Sequence, residues 1–226
     1  MIGILAGMGP KSTGPFIDKV VEQCQLIYNA KYDIDFPQMM IYSCPTPFYI
    51  DRPIIHSDLE KSIIEGAQKL ERTNVNFIAI PCNTAHLYFN KIQSSLSVPV
   101  INMIEETLKE LPINARNIAV LATESVINSG LYQDSLMQYG LNCIQENKWQ
   151  YYVNELIVQI KSGNLDCGIK LWDRIFYELT NKVDAVIVAC TDLNVISDKS
   201  KHDICLIDSS TCLARAIVNK YITENK

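Results

Sequence analysis

A chain of 226 residues with 48% hydrophobic and 20% charged side chains can bury a substantial core, and it is too apolar to be a disordered segment. Its formal charge of −5 gives no basic footprint for nucleic acid, and no apolar run approaches the roughly 20 residues of a membrane span. Gly3, Ala6 and Gly7 interrupt the first apolar stretch, so the amino terminus lacks the zones of a secretory signal and a cytoplasmic location is expected.

Residues 2–7 read as a first strand. Gly7-Met8-Gly9-Pro10 then turns into a helix from about Ser12 to Tyr28, with Phe16, Ile17, Val20, Val21 and Cys24 on one face. The glycine pair invites a dinucleotide reading, but Ser12 stands where the third glycine of G-x-G-x-x-G is needed. A glycine turn whose backbone N–H groups lie open at a helix start suits a small carboxylate instead, which makes Met8 and Gly9 candidate binding positions. A second strand is expected within Asp35 to Ser43. It leads into a proline-braced loop, Cys44 to Pro53, whose one cation is Arg52. An arginine fork can grip a carboxylate at two points, or Arg52 can pair at the surface with Asp51 or Asp58.

A helix from about Ser57 to Glu71 precedes the most informative stretch, Phe77 to His86. Phe77 to Ile80 is an apolar run too short for a helix and reads as a buried parallel strand. Pro81 cannot donate to a ladder, so the strand stops there and leaves Cys82 at its carboxyl end. Asn83 and Thr84 are suited to opening a helix from Ala85 to Ser94. Ligands of open α/β sheets gather at such strand ends. His86, four residues past Cys82, could tune the thiol but reads better as a structural hydrogen-bonder. Val98-Pro99-Val100 is expected as a short strand and Glu105 to Leu111 as a helix, with Pro112 and Asn114 marking a crossover.

The second half repeats the first. Ile118 to Ala122 answers the opening strand and ends in Thr123-Glu124-Ser125-Val126, followed by a helix from about Ser129 to Tyr139 that Gly140 stops. Leu141 to Ile144 reads as strand. Tyr151 to Lys161 reads as a helix with Val153, Leu156, Ile157 and Ile160 inward, and Lys161 is well placed against its dipole. After a helix from Leu165 to Leu179, the apolar run Ala185 to Ala189 ends in Cys190-Thr191-Asp192. A last strand, Ile204 to Ile207, and a helix from Thr211 to Tyr221 capped by Asp208 to Ser210 close the chain. The fold class expected is α/β, with two pseudo-symmetric domains, each a mostly parallel sheet flanked by helices, and an active site in the cleft between them. The first half spans 1–112, with 211–226 packed on it, and the second spans 113–210.

Eight cysteines contain no C-x-x-C pair and no zinc-finger spacing, so most are core fillers in a reducing compartment and no metal site is expected. Cys82 and Cys190 differ from the rest because they recur at nearly the spacing that separates the two opening strands. If they approach a ligand from opposite sides, one thiolate can remove a proton from carbon while the opposite thiol delivers one to the other face, which inverts a stereocentre. Only about 3% of an ordinary cysteine is thiolate at pH 7, so at least one thiol needs tuning, and helix amino termini at Asn83 and Thr191 would push that way. Stabilising the carbanion is the larger task, for which Asn83, Thr84, Thr191 and the backbone at Met8 and Gly9 are candidates.

Gly7-Met8-Gly9-Pro10, Pro81-Cys82-Asn83-Thr84-Ala85-His86 and Cys190-Thr191, in that order, together resemble the aspartate/glutamate racemase family of cofactor-independent amino-acid racemases. Ser129-Gly130-Leu131-Tyr132 and Asp208-Ser209-Ser210 extend the likeness over nearly the whole chain. The resemblance implies two α/β domains, a two-cysteine proton transfer on an amino-acid substrate, aspartate first, no cofactor and a homodimer. It also draws in Arg52 and Lys161 as support for a side-chain carboxylate. Two departures bear on the substrate. Asp192 replaces a glutamate, and Val126 replaces the second threonine of a Thr-x-x-Thr pattern that begins at Thr123. Alternatives are proton transfer on a maleate-like or malonate-like acid, or a non-catalytic binder of small acids.

Overall fold

The computed structural model describes residues 1–49, 52–197 and 203–224. The chain divides into two compact units, residues 1–106 with 210–226, and residues 107–209. In chain order the first unit contributes β1 (Ile2–Ala6), α1 (Thr13–Tyr28), β2 (Met39–Ser43), α2 (His56–Glu71), β3 (Phe77–Ala79), α3 (Phe89–Ser94) and the start of α4 (Met103–Lys109). The second holds β4 (Asn117–Leu121), α5 (Glu124–Asn128), α6 (Leu131–Gln138), β5 (Asn142–Ile144), α7 (Asn147–Ser162), α8 (Leu165–Leu179), β6 (Ala185–Val188), α9 (Asn194–Ser197) and β7 (Cys205–Asp208). The closing helix, α10 (Ser209–Glu224), returns to the first.

All strand pairings are parallel. In the first unit β1 lies between β2 and β3, and a single bridge from Ile78 to Val100 continues the order beyond β3. In the second the order is β5-β4-β6-β7. The orders are therefore the same, with the bridge at Val100 standing where β7 stands. Only a bridge forms because Pro99 has no N–H: its carbonyl accepts from Ile78, and Ile101 donates back to Ile78.

β1 is buried at every position, as expected of a parallel strand covered on both faces. One face carries Ile2, Ile4 and Ala79 against Phe16 and Val20 of α1 and Leu213, Ala214, Ile217 and Val218 of α10. The other carries Leu5, Ile78 and Ile80 against Leu59, Ile63, Ala67 and Leu70 of α2. In the second unit, Ala119, Leu121, Val186 and Val188 meet Trp149, Val153, Leu156 and Ile160 of α7 and Trp172, Ile175, Phe176 and Leu179 of α8. The inward face expected for α7 is the one observed.

Five local expectations are corrected. The stretch after Cys82 opens as a 3-10 helix, Thr84–Tyr88, before α3, because the N–H groups of Ala85 and His86 reach back only three residues to Cys82 and Asn83. Asn83 is already helical in backbone and makes no side-chain cap, so it does not act as the expected opener. The Thr123 turn leads straight into α5, a helix not foreseen, and α7 starts one turn earlier than expected, at Asn147. Residues Met103–Lys109, rather than Glu105 to Leu111, form α4.

Candidate active site

In the first unit the candidate residues sit on the turns after β1 and β3, apart from Arg52, which lies in the loop between β2 and α2. Gly7 has φ +94, and a Cβ there would lie 2.6 Å from the backbone N of Cys44, so glycine is needed both for conformation and for the close approach of the chain leaving β2. Its N–H donates to Thr13 Oγ1 at 3.2 Å, and the Gly9 carbonyl accepts from Ser12 Oγ at 2.8 Å, which ties the glycine turn to the start of α1. Met8 and Cys82, both half-buried, border the same apolar cluster as Tyr88 and Ile80. Asn83 and Thr84 are buried. Arg52 is exposed, with its guanidinium 4.5 Å from the Tyr49 ring centre, and the Asp51 offered as its surface partner lies outside the described residues.

The Cys82 backbone is firmly held. Its N–H donates to the Ile80 carbonyl at 2.8 Å, and its carbonyl accepts from the Ala85 N–H at 3.2 Å and meets His86 Nδ1 at 2.9 Å. Two residues that the sequence reading passed over belong here. The Tyr88 hydroxyl is 2.7 Å from His56 Nδ1. Burial, with smaller effects from the charges of Glu60 and Cys82, pushes the Tyr88 phenol up from its ordinary range. Nothing in the sequence pairs Tyr88 with a histidine 32 residues earlier.

In the second unit, Cys190 is buried at the end of β6, and Thr191 and Asp192 are buried in the turn that follows. Lys161, in the last turn of α7, places Nζ 2.9 Å from Asp192 Oδ2, with the two side chains 27% and 12% exposed. The ammonium expected near a substrate side chain is thus engaged by the residue two places past Cys190. Thr123 Oγ1 is 3.0 Å from Ser125 Oγ, and Gln150 of α7 donates to the Ala122 carbonyl at 3.1 Å, which braces the turn after β4. Val126 is buried. The helix termini expected beside both thiols are the 3-10 turns Thr84–Tyr88 and Thr191–Leu193, so any pull on a thiolate comes from a few local amides rather than from a long helix dipole. Among the described residues no group of three His, Cys, Asp or Glu side chains could hold a metal ion, and no helix is long and apolar enough to cross a membrane.

Each unit therefore presents one cysteine from the turn after the strand that flanks its first strand, at the end of a parallel sheet where ligands collect. The family model for Asp/Glu/Hydantoin racemase matches residues 5–217. The chain belongs to this family. As a member of the Asp/Glu/Hydantoin racemase family it is 53% identical over 223 residues to the broad specificity amino-acid racemase RacX of Bacillus subtilis (strain 168), with 98% of each chain covered. The aspartate racemase of Picrophilus torridus superposes with a TM-score of 0.84 at 28% identity, over 97% of this chain and 93% of that one. The glutamate racemase of Campylobacter jejuni subsp. jejuni shares the fold at a TM-score of 0.66 and 22% identity, over 100% of this chain and 85% of that one.

Proposed function

We propose that the protein is a PLP-independent amino-acid racemase in which Cys82 and Cys190 exchange a proton at the α-carbon from opposite faces. The observation that carries this reading is the pair of cysteines on equivalent strands of two sheets with the same strand order. In one direction a thiolate takes the α-proton as the C–H bond breaks, and the other thiol protonates the resulting planar carbanion. The reverse direction exchanges the roles, and the pair carries one proton between its two sulfurs throughout. Asn83, Thr84, Thr191 and the Met8-Gly9 backbone are assigned to the substrate carboxylate, where negative charge develops, with Thr123 beside them. No cofactor takes part in this scheme.

The substrate range proposed is broad and includes aspartate and glutamate. Two facts favour breadth over strict selection of an acidic side chain: the relative at 53% identity carries a broad-specificity name, and Lys161 is engaged by Asp192. Arg52 remains the proposed contact for an acidic side chain. A homodimer, as the family resemblance implies, in the cytoplasm, as the character of the amino terminus suggests, completes the reading.

The test is proton NMR of the purified protein with L- and D-amino acids in heavy water, without added cofactor, and with chiral analysis of the products. Loss of the α-proton signal together with inversion is expected for several amino acids, and both are expected to vanish in Cys82→Ala and in Cys190→Ala. Full two-way turnover in either variant, or no exchange with any amino acid, would reject the mechanism.

A further inference from the structure

His86 is 3% exposed and lies between two turns of the first unit. Its Nδ1 is 2.9 Å from the carbonyl oxygen of Cys82, and its Nε2 is 3.0 Å from the amide nitrogen of Met103. A carbonyl only accepts and an amide N–H only donates, so these two partners put the proton on Nδ1 and the lone pair on Nε2, with the Ile101 carbonyl also close to the ring. Both ring nitrogens are then used, which removes His86 as a proton-transfer partner for the thiol. Met103 is the first residue of α4, and its N–H is among the donors that a helix start leaves without an internal acceptor. The ring stacks on Phe89, with centroids 5.9 Å apart and planes within 8°, which holds its orientation.

The two turns it joins follow adjacent parallel segments, β3 and the stretch bridged through Val100. We propose that His86 is a positioning residue that, as the neutral Nδ1–H ring, braces the Cys82 carbonyl against the start of α4 and so fixes the aim of the thiol. This rests on the reading of Cys82 as a proton-transfer group. Without the ring, the Cys82 carbonyl and the Met103 N–H each lose a bond, the latter in a buried place. A displacement near 1 Å at a reacting group can lower a rate by roughly 10²-fold.

Two variants separate aim from folding. His86→Leu removes both bonds, whereas His86→Gln retains an amide that can donate once and accept once. The expected result is a fall in kcat of about 10²-fold for His86→Leu, with KM changed less than about threefold, and a recovery of at least about tenfold in His86→Gln. Wild-type turnover in His86→Leu would overturn the proposal. So would equal loss in both variants that tracks a lowered Tm, since that marks a role in folding alone. The 15N spectrum of the ring in the wild-type protein gives a readout independent of turnover. A protonated Nδ1 with an unprotonated Nε2 at pH 6 supports the brace, and the opposite tautomer or an imidazolium sinks it. Cys82→Ala, assayed alongside, keeps a failure of the racemase mechanism distinct from a failure of the brace.

Discussion

Asp192 holds the Lys161 ammonium at 2.9 Å, and this contact sets the charge around the Cys190 turn. Both side chains are largely withdrawn from water, so removing one charge leaves the other poorly compensated. Asp192→Asn is expected to shift the ratio of kcat/KM values toward acidic over neutral amino acids, because the ammonium then seeks another carboxylate. The same change should cost about 1–2 kcal/mol of stability, less than a fully buried pair, since Lys161 keeps partial contact with solvent. Competition assays with aspartate and a neutral amino acid, together with urea unfolding, check both outcomes. An unchanged preference would remove the pair from substrate selection. His86 governs a different property. Burial holds its pKa below the usual histidine range, so the unfolded chain binds the proton that the folded one refuses. The stability it contributes is complete above the unfolded value of about 6.5 and falls as pH drops below that. The Tm should therefore decline as pH falls below about 6.5, less steeply in His86→Gln. The carboxylates whose pKa values are lowered by hydrogen bonds, among them Asp35, Glu71 and Asp184, act at lower pH still.

At the scale of the elements, the turn after β1 depends on one glycine. Gly7→Ala places a Cβ in a left-handed conformation and against the Cys44 backbone, where no side chain can yield. A loss of at least about 2 kcal/mol in chemical denaturation is expected, with damage to the Met8-Gly9 segment beyond the change itself. If the variant is as stable as the parent, the tight approach of β1 and the β2 exit is not required. The parallel strands were readable from the sequence because burial on both faces makes them continuous apolar runs, as at Ile2 to Ala6 and Ala185 to Val188. The helices that bury one face were readable from their period, and Leu165 to Leu179 has the bounds expected. The missed elements are short ones. α5 has five residues, too few for a period, whereas Trp149 in the first turn of α7 stands four residues before Val153 and continues its inward row, a signal the sequence carried and the expected start at Tyr151 missed. In the same way the Val98 strand reduced to a bridge because one proline removed the donor it needed.

Over the whole molecule, the candidate site was readable to the extent that it depends on strand ends. Cys82, Cys190, Met8 and Thr123 all stand at carboxyl ends of parallel strands, where a sequence can place them. Contacts set by packing between distant segments left no trace: Lys161 with Asp192, His86 with Met103, and His56 with Tyr88. The exposed apolar residues of the first unit include Leu26, Ile34 and Ile41 of or near α1 and the edge strand β2. For the proposed homodimer, light scattering should give twice the chain mass of 25.6 kDa. A value equal to one chain at assay concentration would reject it.

The placement of α10 has a consequence for how the protein is made. Leu213, Ala214, Ile217 and Val218 complete the face of the sheet that Ile2, Ile4 and Ala79 begin. Residues 1–106 thus cannot close their core until α10 has been translated, while residues 107–209 are already available as a compact unit. Synthesis runs from the amino terminus, but on the ribosome the first unit is the last to be finished. A chain stopped at Thr211 would leave that face of the sheet with α1 but without α10 and open to aggregation, although every residue of both cysteine turns had been made.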